Sequence, residues 1–199
     1  MSHTPLGAFA AWLECTDMTG AEKEECLRLV RRGFSQPADL LLLGGPGAEE
    51  RLLLRALGVH RNRSSMPQQL GNWRLWPCPA GREQRACLVR FLQTGGTSGR
   101  KKLVILFSAP GRGGRLRARR VWRRACAEAE QPLEQFPALA VQAGWAGRPN
   151  PRRFRHQENS EWRLQQAAVD CLGRQVPVLT VTAGRGREQL WYQLAKSLA

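Results

Sequence analysis

The sequence predicts an α/β fold with a largely parallel central sheet, preceded by a short N-terminal helical extension. Short apolar runs of strand length alternate with amphipathic helical patterns along most of the chain. Parallel neighbours in a sheet are joined by crossovers that are usually helical, so this alternation favours a parallel sheet. The chain has 199 residues, of which 42% are hydrophobic, and this suffices for one domain with a substantial core.

The helical extension is predicted over residues 1–36 and the α/β domain over residues 37–199. Thr19 to Glu22 has the S/T-x-x-E form of a capping box, which marks the start of a helix. Leu27 and Val30 share an apolar face, and Gly33 follows the last basic turn. Gln36-Pro37 then breaks the pattern, so we place the boundary there.

The first half of the α/β domain opens with the apolar run Leu40–Leu43, which has the length of a strand. A Gly-rich turn at residues 44–47 leads into a helix that ends at Gly58 and carries the apolar residues Leu52, Leu53, Ala56 and Leu57. A polar loop follows. The alternation in Trp73–Trp76 then predicts another strand, with a turn at residues 77–81.

The second half of the domain has a clearer pattern. The run Leu103–Phe107 is typical of a strand buried on both faces of a parallel sheet. The helix after it has one apolar stripe, formed by Ala118, Val121, Trp122, Ala125, Cys126 and Ala129. The remaining predicted elements are a strand at Pro137–Val141, a helix at Glu158–Leu172, a strand at Val176–Val181 and a closing helix with Leu190, Trp191, Leu194 and Leu198 facing inward.

The composition and the cysteine pattern indicate the compartment. No run approaches the roughly 20 apolar residues that a membrane-spanning helix needs, and the apolar start lacks the basic leader of a signal peptide. The six cysteines form no CxxC pair, and no histidine lies near them at ligand spacing. We therefore expect an intracellular protein, cytoplasmic or nuclear and not secreted, with reduced thiols, no metal site and no membrane span.

The turn after the first strand stands where a phosphate-binding loop would be. Such a loop has the form GxxxxGK[ST], in which backbone N–H groups, a Lys and a hydroxyl bind phosphate and magnesium. Two carboxylates would repel a triphosphate, whereas they suit the positive start of a helix. Here Glu49, Glu50 and Arg51 replace the second Gly, the Lys and the Ser or Thr. The degenerate phosphate loop consists of Gly44, Gly45, Pro46, Gly47, Glu49, Glu50 and Arg51.

The order of elements over residues 39–199 resembles a small-GTPase-type G domain of the P-loop superfamily. Trp76–Glu83 is similar to the W-D-x-A-G-x-E stretch of that family, but Pro77 or Cys78 stands where the magnesium-linked Asp belongs. The guanine-reading N-K-x-D motif is replaced by residues 142–145, while Val181–Gly186 is similar to the S-A-x-x-G-x-G turn. The degenerate switch motif comprises Cys78, Ala80, Gly81 and Glu83.

Two short matches are similar to the immunity-associated GTPase (GIMAP) group: Gly111-Arg112 and the stretch Cys171–Arg174. The resemblance implies a three-layer, P-loop-like fold, but the chemistry of a GTPase is missing. A working site needs an Asp at a strand end to hold magnesium. In the sequence pattern, Asp39 precedes its strand, Asp170 lies within a helix and Asp17 lies in the extension. We therefore expect no catalytic residue and no cofactor.

The net charge of +15 is concentrated in one segment, since residues 100–124 contain ten basic residues and no acids. One interpretation is a solvated helix face with no partner. The other is a contact with an acidic protein surface or with nucleic acid phosphates. The candidate partner-binding residues are Arg112, Arg115, Arg119, Arg120, Arg123, Arg124, Trp145, Arg152 and Arg153.

The sequence leaves three functions open. The first is a pseudo-GTPase, a G-domain scaffold or adaptor subunit that binds protein partners with acidic surfaces through its Arg-rich helix and its N-terminal helix. The second is a divergent GTP-binding switch protein, and the third is a basic nucleic-acid-binding protein. The missing motif residues favour the first, and they predict that the protein is not an enzyme.

Overall fold

A computed structural model describes residues 5–44, 48–59, 67–78, 83–94, 99–107, 112–132, 135–144, 151–182 and 186–199. Within these ranges it has seven helices and one six-stranded sheet, which confirms the α/β class. In chain order the elements are α1 (Pro5–Glu14), α2 (Gly20–Ser35), β1 (Ala38–Leu43), α3 (Ala48–Ala56), β2 (Gln68–Leu70), β3 (Trp73–Cys78), α4 (Gln84–Gln93), β4 (Lys101–Leu106), α5 (Arg112–Glu128), β5 (Ala138–Gly144), α6 (Pro151–Leu172), β6 (Val178–Thr182) and α7 (Arg187–Leu198).

The sheet is mostly parallel, as predicted, with the strand order β2-β3-β1-β4-β5-β6. Among the described strands, β2 alone runs antiparallel to its neighbour. The sequence places residues 68–70 in a polar loop, but they form β2 by pairing with Trp73–Leu75. Helix α4 was also not predicted, and it supplies the crossover from β3 to β4.

Alternate side chains of the strands point into two separate cores, one on each face of the sheet. On one face, Leu41 and Val104 pack with residues of α4, α5 and α6. On the other face, Leu40 and Leu103 pack with residues of α3 and α7. All six residues of β1 are buried, because helices cover both faces of this central strand.

The N-terminal extension packs on the outer side of α7. The predicted capping box is present, since the Thr19 side chain accepts from the Glu22 N–H and the Glu22 carboxylate accepts from the Thr19 N–H at 2.8 Å. Gly33 permits close approach of α2 to α7, because a Cβ at this position would lie 2.5 Å from Ala195 Cα. The residues buried in this contact are Phe9, Leu13, Val30, Trp191 and Ala195.

Several element ends differ from the predicted ones. Helix α6 begins at Pro151, well before Glu158, and β5 continues past Val141 to Gly144. Strand β6 begins at Val178, after the proline that interrupts its predicted first residues. In the described ranges, none of the helices is both long and apolar enough to cross a membrane.

Candidate functional site

The strand order of this sheet predicts a crevice at its carboxyl edge, beyond the end of β1. Strand β1 leads into α3 on one face, whereas its neighbours β3 and β4 lead into α4 and α5 on the other face. Connections that leave adjacent strands toward opposite faces open a crevice beyond the strand ends. Gly44, the first residue of the degenerate phosphate loop, lies there, while Gly45, Pro46 and Gly47 lie outside the described residues.

An aromatic ring packs against Gly44. Phe107 directly follows β4, and its backbone N–H donates to the carbonyl of Leu43 over 3.1 Å. A Cβ on Gly44 would lie 2.7 Å from Phe107 Cζ, and the Phe107 side chain is only 3% exposed. The side of Gly44 on which a Cβ would stand is therefore occupied by the Phe107 ring, which carries no hydrogen-bond donor for a phosphate oxygen.

The acidic residues of the degenerate loop belong to the start of α3. The helix begins at Ala48, so Glu49 and Glu50 are in its first turn. Glu50 is half-buried and Arg51 is exposed, while the side chain of Glu49 is outside the described part of the chain. Carboxylates at a helix start interact favourably with the helix dipole, which supports a structural role for both glutamates.

The degenerate switch motif is described only at its two ends. Cys78 is the last residue of β3 and is buried. Glu83 is exposed and directly precedes α4, where its side chain makes no capping hydrogen bond. Ala80 and Gly81 are not among the described residues.

Two cysteine thiols meet at the end of β3. The Cys87 thiol donates to the carbonyl of Pro77 over 3.3 Å, and it is also hydrogen-bonded with the Cys78 thiol. The hydrogen bond with Cys78, together with the charge of Arg90, lowers the pKa of Cys87 despite burial. The same hydrogen bond and burial raise the pKa of Cys78. Sequence spacing did not reveal this pair, because its members lie on different elements.

The carboxyl ends of β5 and β6 also differ from a nucleotide site. Residues 142–144 of the replaced guanine-reading motif remain inside β5 and pair with residues 180–182 of β6. Gly186 precedes α7 with a φ of 81°, and a Cβ there would lie 2.6 Å from the Thr180 carbonyl oxygen. Only glycine suits this turn. Gly186, the last residue matched to the S-A-x-x-G-x-G pattern, is therefore required by steric contact with Thr180.

The buried aspartate lies at the opposite, amino-terminal end of β1. Asp39 was predicted to precede the strand, but it is the second residue of β1. Its carboxylate accepts from Arg74 Nε and Nη2 at 2.6 and 2.8 Å and from Arg100 Nε at 3.2 Å. Burial alone would raise the pKa of Asp39, but the hydrogen bonds from Arg74 and the charges of both arginines hold it below its ordinary value.

The other aspartates are also remote from the carboxyl edge. Asp170 lies in α6, and Asp17 lies between α1 and α2. Among the described residues there is no group of His, Cys, Asp and Glu side chains that could hold a metal ion.

The basic surface lies on the outer side of α5. Trp122, Ala125 and Cys126 of the predicted stripe are buried, while Arg119 is half-buried. The exposed arginines of α5 in the described part are Arg120, Arg123 and Arg124. Trp145 and the side chains of the other candidate residues lie outside the described part of the structure, namely those of Arg112, Arg115, Arg152 and Arg153.

Comparison with known proteins gives no relative from which to transfer a function. No family model matches the chain, and no curated protein matches it.

Proposed function

We propose that the protein is a pseudo-GTPase: a G-domain-like scaffold that neither binds nor hydrolyses GTP and acts as a non-catalytic adaptor subunit. One observation carries the proposal. At the carboxyl end of β1, the Phe107 ring packs against Gly44, and Glu49 and Glu50 lie in the first turn of the helix that follows.

The topology supports the G-domain part of the proposal. A Gly-rich sequence, residues 44–47, joins the central parallel strand β1 to helix α3, and helices cover both faces of the sheet. The turn before α7 also requires the glycine that the family pattern has at Gly186.

The charges at the crevice support the loss of nucleotide binding. A phosphate loop needs a Lys near the terminal phosphates and a hydroxyl on magnesium, and an Asp at a strand end completes the magnesium site. Glu50 and Arg51 stand in place of the Lys and the hydroxyl. In the described part of the carboxyl edge, no strand ends in an aspartate.

The outer helices support the adaptor part of the proposal. Exposed arginines line α5, and guanidinium groups pair well with carboxylates of a partner. The apolar face of the N-terminal helices is buried against α7, so it is not open to a partner. Any partner contact of the extension must therefore use its charged outer side.

Titration with a fluorescent guanine nucleotide tests the proposal. We expect no saturable binding at micromolar protein concentrations, either with magnesium or with a chelator. Binding of micromolar affinity that depends on magnesium would overturn the pseudo-GTPase proposal and favour the divergent switch protein.

A further inference from the structure

Two free cysteines are in contact where strand β3 ends beside helix α4. Cys78 is the last residue of β3, and Cys87 lies in the first turn of α4. The Cys87 thiol donates to the carbonyl of Pro77 over 3.3 Å, and that carbonyl belongs to the peptide bond between Pro77 and Cys78. A hydrogen bond joins the two thiols directly. The fold therefore holds two reduced sulfur atoms side by side.

The two thiols differ in their access to solvent. Cys78 belongs to the core that α4, α5 and α6 form on one face of the sheet, and its side chain is buried. Cys87 is half-buried and packs against the same core. Arg90, one helical turn after Cys87, is exposed on the same side of α4. A small solute would therefore meet Cys87 before Cys78.

We infer that this pair is an oxidation site for a small peroxide, at which Cys87 reacts first and Cys78 then closes a disulfide. The inference goes beyond the proposed adaptor function and does not depend on it. It assigns the two thiols different roles: Cys87 is the attacking thiol, and Cys78 is the resolving thiol.

The surroundings of each thiol suit its role. The thiolate is the form of cysteine that attacks a peroxide. The hydrogen bond with Cys78 lowers the pKa of Cys87, and the charge of Arg90 also lowers it, against the effects of burial and of Glu83. The same hydrogen bond and burial raise the pKa of Cys78, so Cys78 keeps its proton until it reacts.

The reaction balances with hydrogen peroxide as the oxidant. The Cys87 thiolate attacks one peroxide oxygen, so an S–O bond forms, the O–O bond breaks, and the leaving hydroxide takes up a proton to become water. Cys78 Sγ then attacks the sulfur of the resulting sulfenic acid. An S–S bond forms, the S–O bond breaks, and the hydroxyl group leaves as water with the proton of the Cys78 thiol. Two thiols and one peroxide thus give one disulfide and two water molecules.

The disulfide would join the end of β3 to the first turn of α4 covalently. It would close a ring around residues 79–86, which include Ala80, Gly81 and Glu83 of the degenerate switch motif. Reduction by a dithiol would open the ring again. The pair is therefore a reversible modification site at the carboxyl edge of the sheet.

Peptide mapping of the full-length protein after treatment with hydrogen peroxide tests the inference. Trypsin cuts after arginine, so the two cysteines fall in separate peptides, Leu75–Arg82 and Ala86–Arg90. After free thiols have been blocked, digestion without a reductant should give these two peptides linked, with a mass two hydrogen atoms below their sum. Prior reduction with dithiothreitol should abolish the linked species.

Dimedone, a reagent that captures sulfenic acids, separates the two steps. In Cys78→Ala, Cys87 has lost its resolving thiol, so dimedone should label Cys87. The label should be lost when Cys78 is present, because the disulfide forms instead. In Cys87→Ala, Cys78 should stay reduced.

The matched control is Cys26→Ala on α2. Cys26 is also a half-buried cysteine, but its thiol is hydrogen-bonded with the Tyr192 hydroxyl. The linked peptide should form in this variant as it does in the wild-type protein.

Three results would overturn the inference. The first is no linked peptide in the wild-type protein at peroxide concentrations up to those that oxidise exposed Cys15. The second is a dimedone label on Cys78 in Cys87→Ala with none on Cys87 in Cys78→Ala. The third is linkage of Cys78 or Cys87 mainly to another cysteine. The wild-type map requires no substitution, so the inference stays testable if a variant does not fold. Nucleotide titration is a separate assay, and GTP binding would refute the pseudo-GTPase proposal alone.

Discussion

Asp39 illustrates how one buried charge fixes the amino-terminal edge of the sheet. Its side chain is fully buried, and it accepts hydrogen bonds from Arg74 on β3 and from Arg100 just before β4. Arg100 also donates to the backbone carbonyls of Ala38 and Asn72 at 2.9 and 2.7 Å. The cluster thus joins three adjacent strands at their first residues, far from the candidate site.

Replacement of Asp39 with Asn should destabilise the fold strongly. It would leave two partly buried guanidinium groups without their carboxylate, and breaking such a pair costs about 3 kcal/mol of unfolding free energy. Urea denaturation measures the change. The matched control is Glu25→Gln, which breaks the exposed Glu25–Arg28 pair and should cost far less. Equal losses in the two variants would contradict a structural role for the buried cluster.

The contribution of Asp39 to the unfolding free energy should decrease as the pH falls. Its pKa is lower in the folded protein than the ordinary value of about 3.9, so the unfolded chain takes up the proton first as the pH falls. The contribution is therefore complete above about pH 4 and is lost as the pH falls toward the lowered folded pKa. The difference in unfolding free energy between wild type and Asp39→Asn should shrink at acid pH. A constant difference would refute this.

Cys87 should react with iodoacetamide much faster than its neighbour Cys78. The thiolate is the reacting form, and Cys87 combines a lowered pKa with partial exposure, whereas Cys78 is buried and has a raised pKa. Peptide mass spectrometry after timed labelling measures both rates, with exposed Cys15 as an internal reference. Arg90→Gln should slow labelling of Cys87, because the arginine charge favours its thiolate. Faster labelling of Cys78 would contradict the proposed arrangement.

At the scale of elements, the contact between α2 and α7 depends on a single glycine. Alanine normally favours a helix over glycine by about 1 kcal/mol. At Gly33, however, the added Cβ would lie 2.5 Å from both Cα and the carbonyl oxygen of Ala195, so the two helices must move apart. We expect Gly33→Ala to lower the unfolding free energy by about 1–3 kcal/mol, as overpacking does.

Gly20→Ala is the control for that substitution, because Gly20 begins the same helix and has no atom within 4 Å of an added Cβ. Thermal melting compares the two variants. Gly20→Ala should be neutral or stabilising, and a Gly33→Ala variant that melts at the same temperature as wild type would refute the close helix contact.

Elements with strong local patterns could be predicted from the sequence, and those created by pairing could not. The stripe containing Trp122, Ala125 and Cys126 determines which side of α5 is buried, so Arg120, Arg123 and Arg124 were correctly expected on the surface. Arg119, expected there as well, is half-buried. Strand β2 has only three residues, two of them glutamines, and it exists because β3 lies beside it. The exposed side chain of Trp162 on α6 was missed for a related reason: an apolar residue in a helix is usually buried, and only the packing shows that Trp162 is not.

At the scale of the whole molecule, the N-terminal extension shares its core with the α/β domain. The Phe34 ring stacks on Trp73 of β3 with centroids 4.3 Å apart, and Trp73 Nε1 donates to the Gly33 carbonyl over 3.2 Å. Asn72 also donates to the carbonyl of Ser35 over 3.1 Å. Three separate contacts thus join the end of α2 to the start of β3. Residues on the two sides of the boundary predicted at residue 36 therefore pack against each other.

A chain that begins at residue 37 should therefore not fold stably. It would lose Phe9, Leu13 and Val30, whose fully buried side chains pack on Trp191, and removal of one buried phenylalanine alone costs about 3–5 kcal/mol. Domains of this size have only about 5–15 kcal/mol of total stability, so the free energy lost with these three side chains would use up most or all of that stability.

Circular dichroism and urea denaturation of residues 37–199 measure the effect of the truncation. A peptide of residues 1–36 added in trans should restore part of the helical signal. Phe9→Ala in the full chain should also lower the unfolding free energy, but by less than the truncation does. If the shortened chain instead unfolded cooperatively at the wild-type midpoint, the extension would be an independent appendage, and its apolar face would be free to bind a partner.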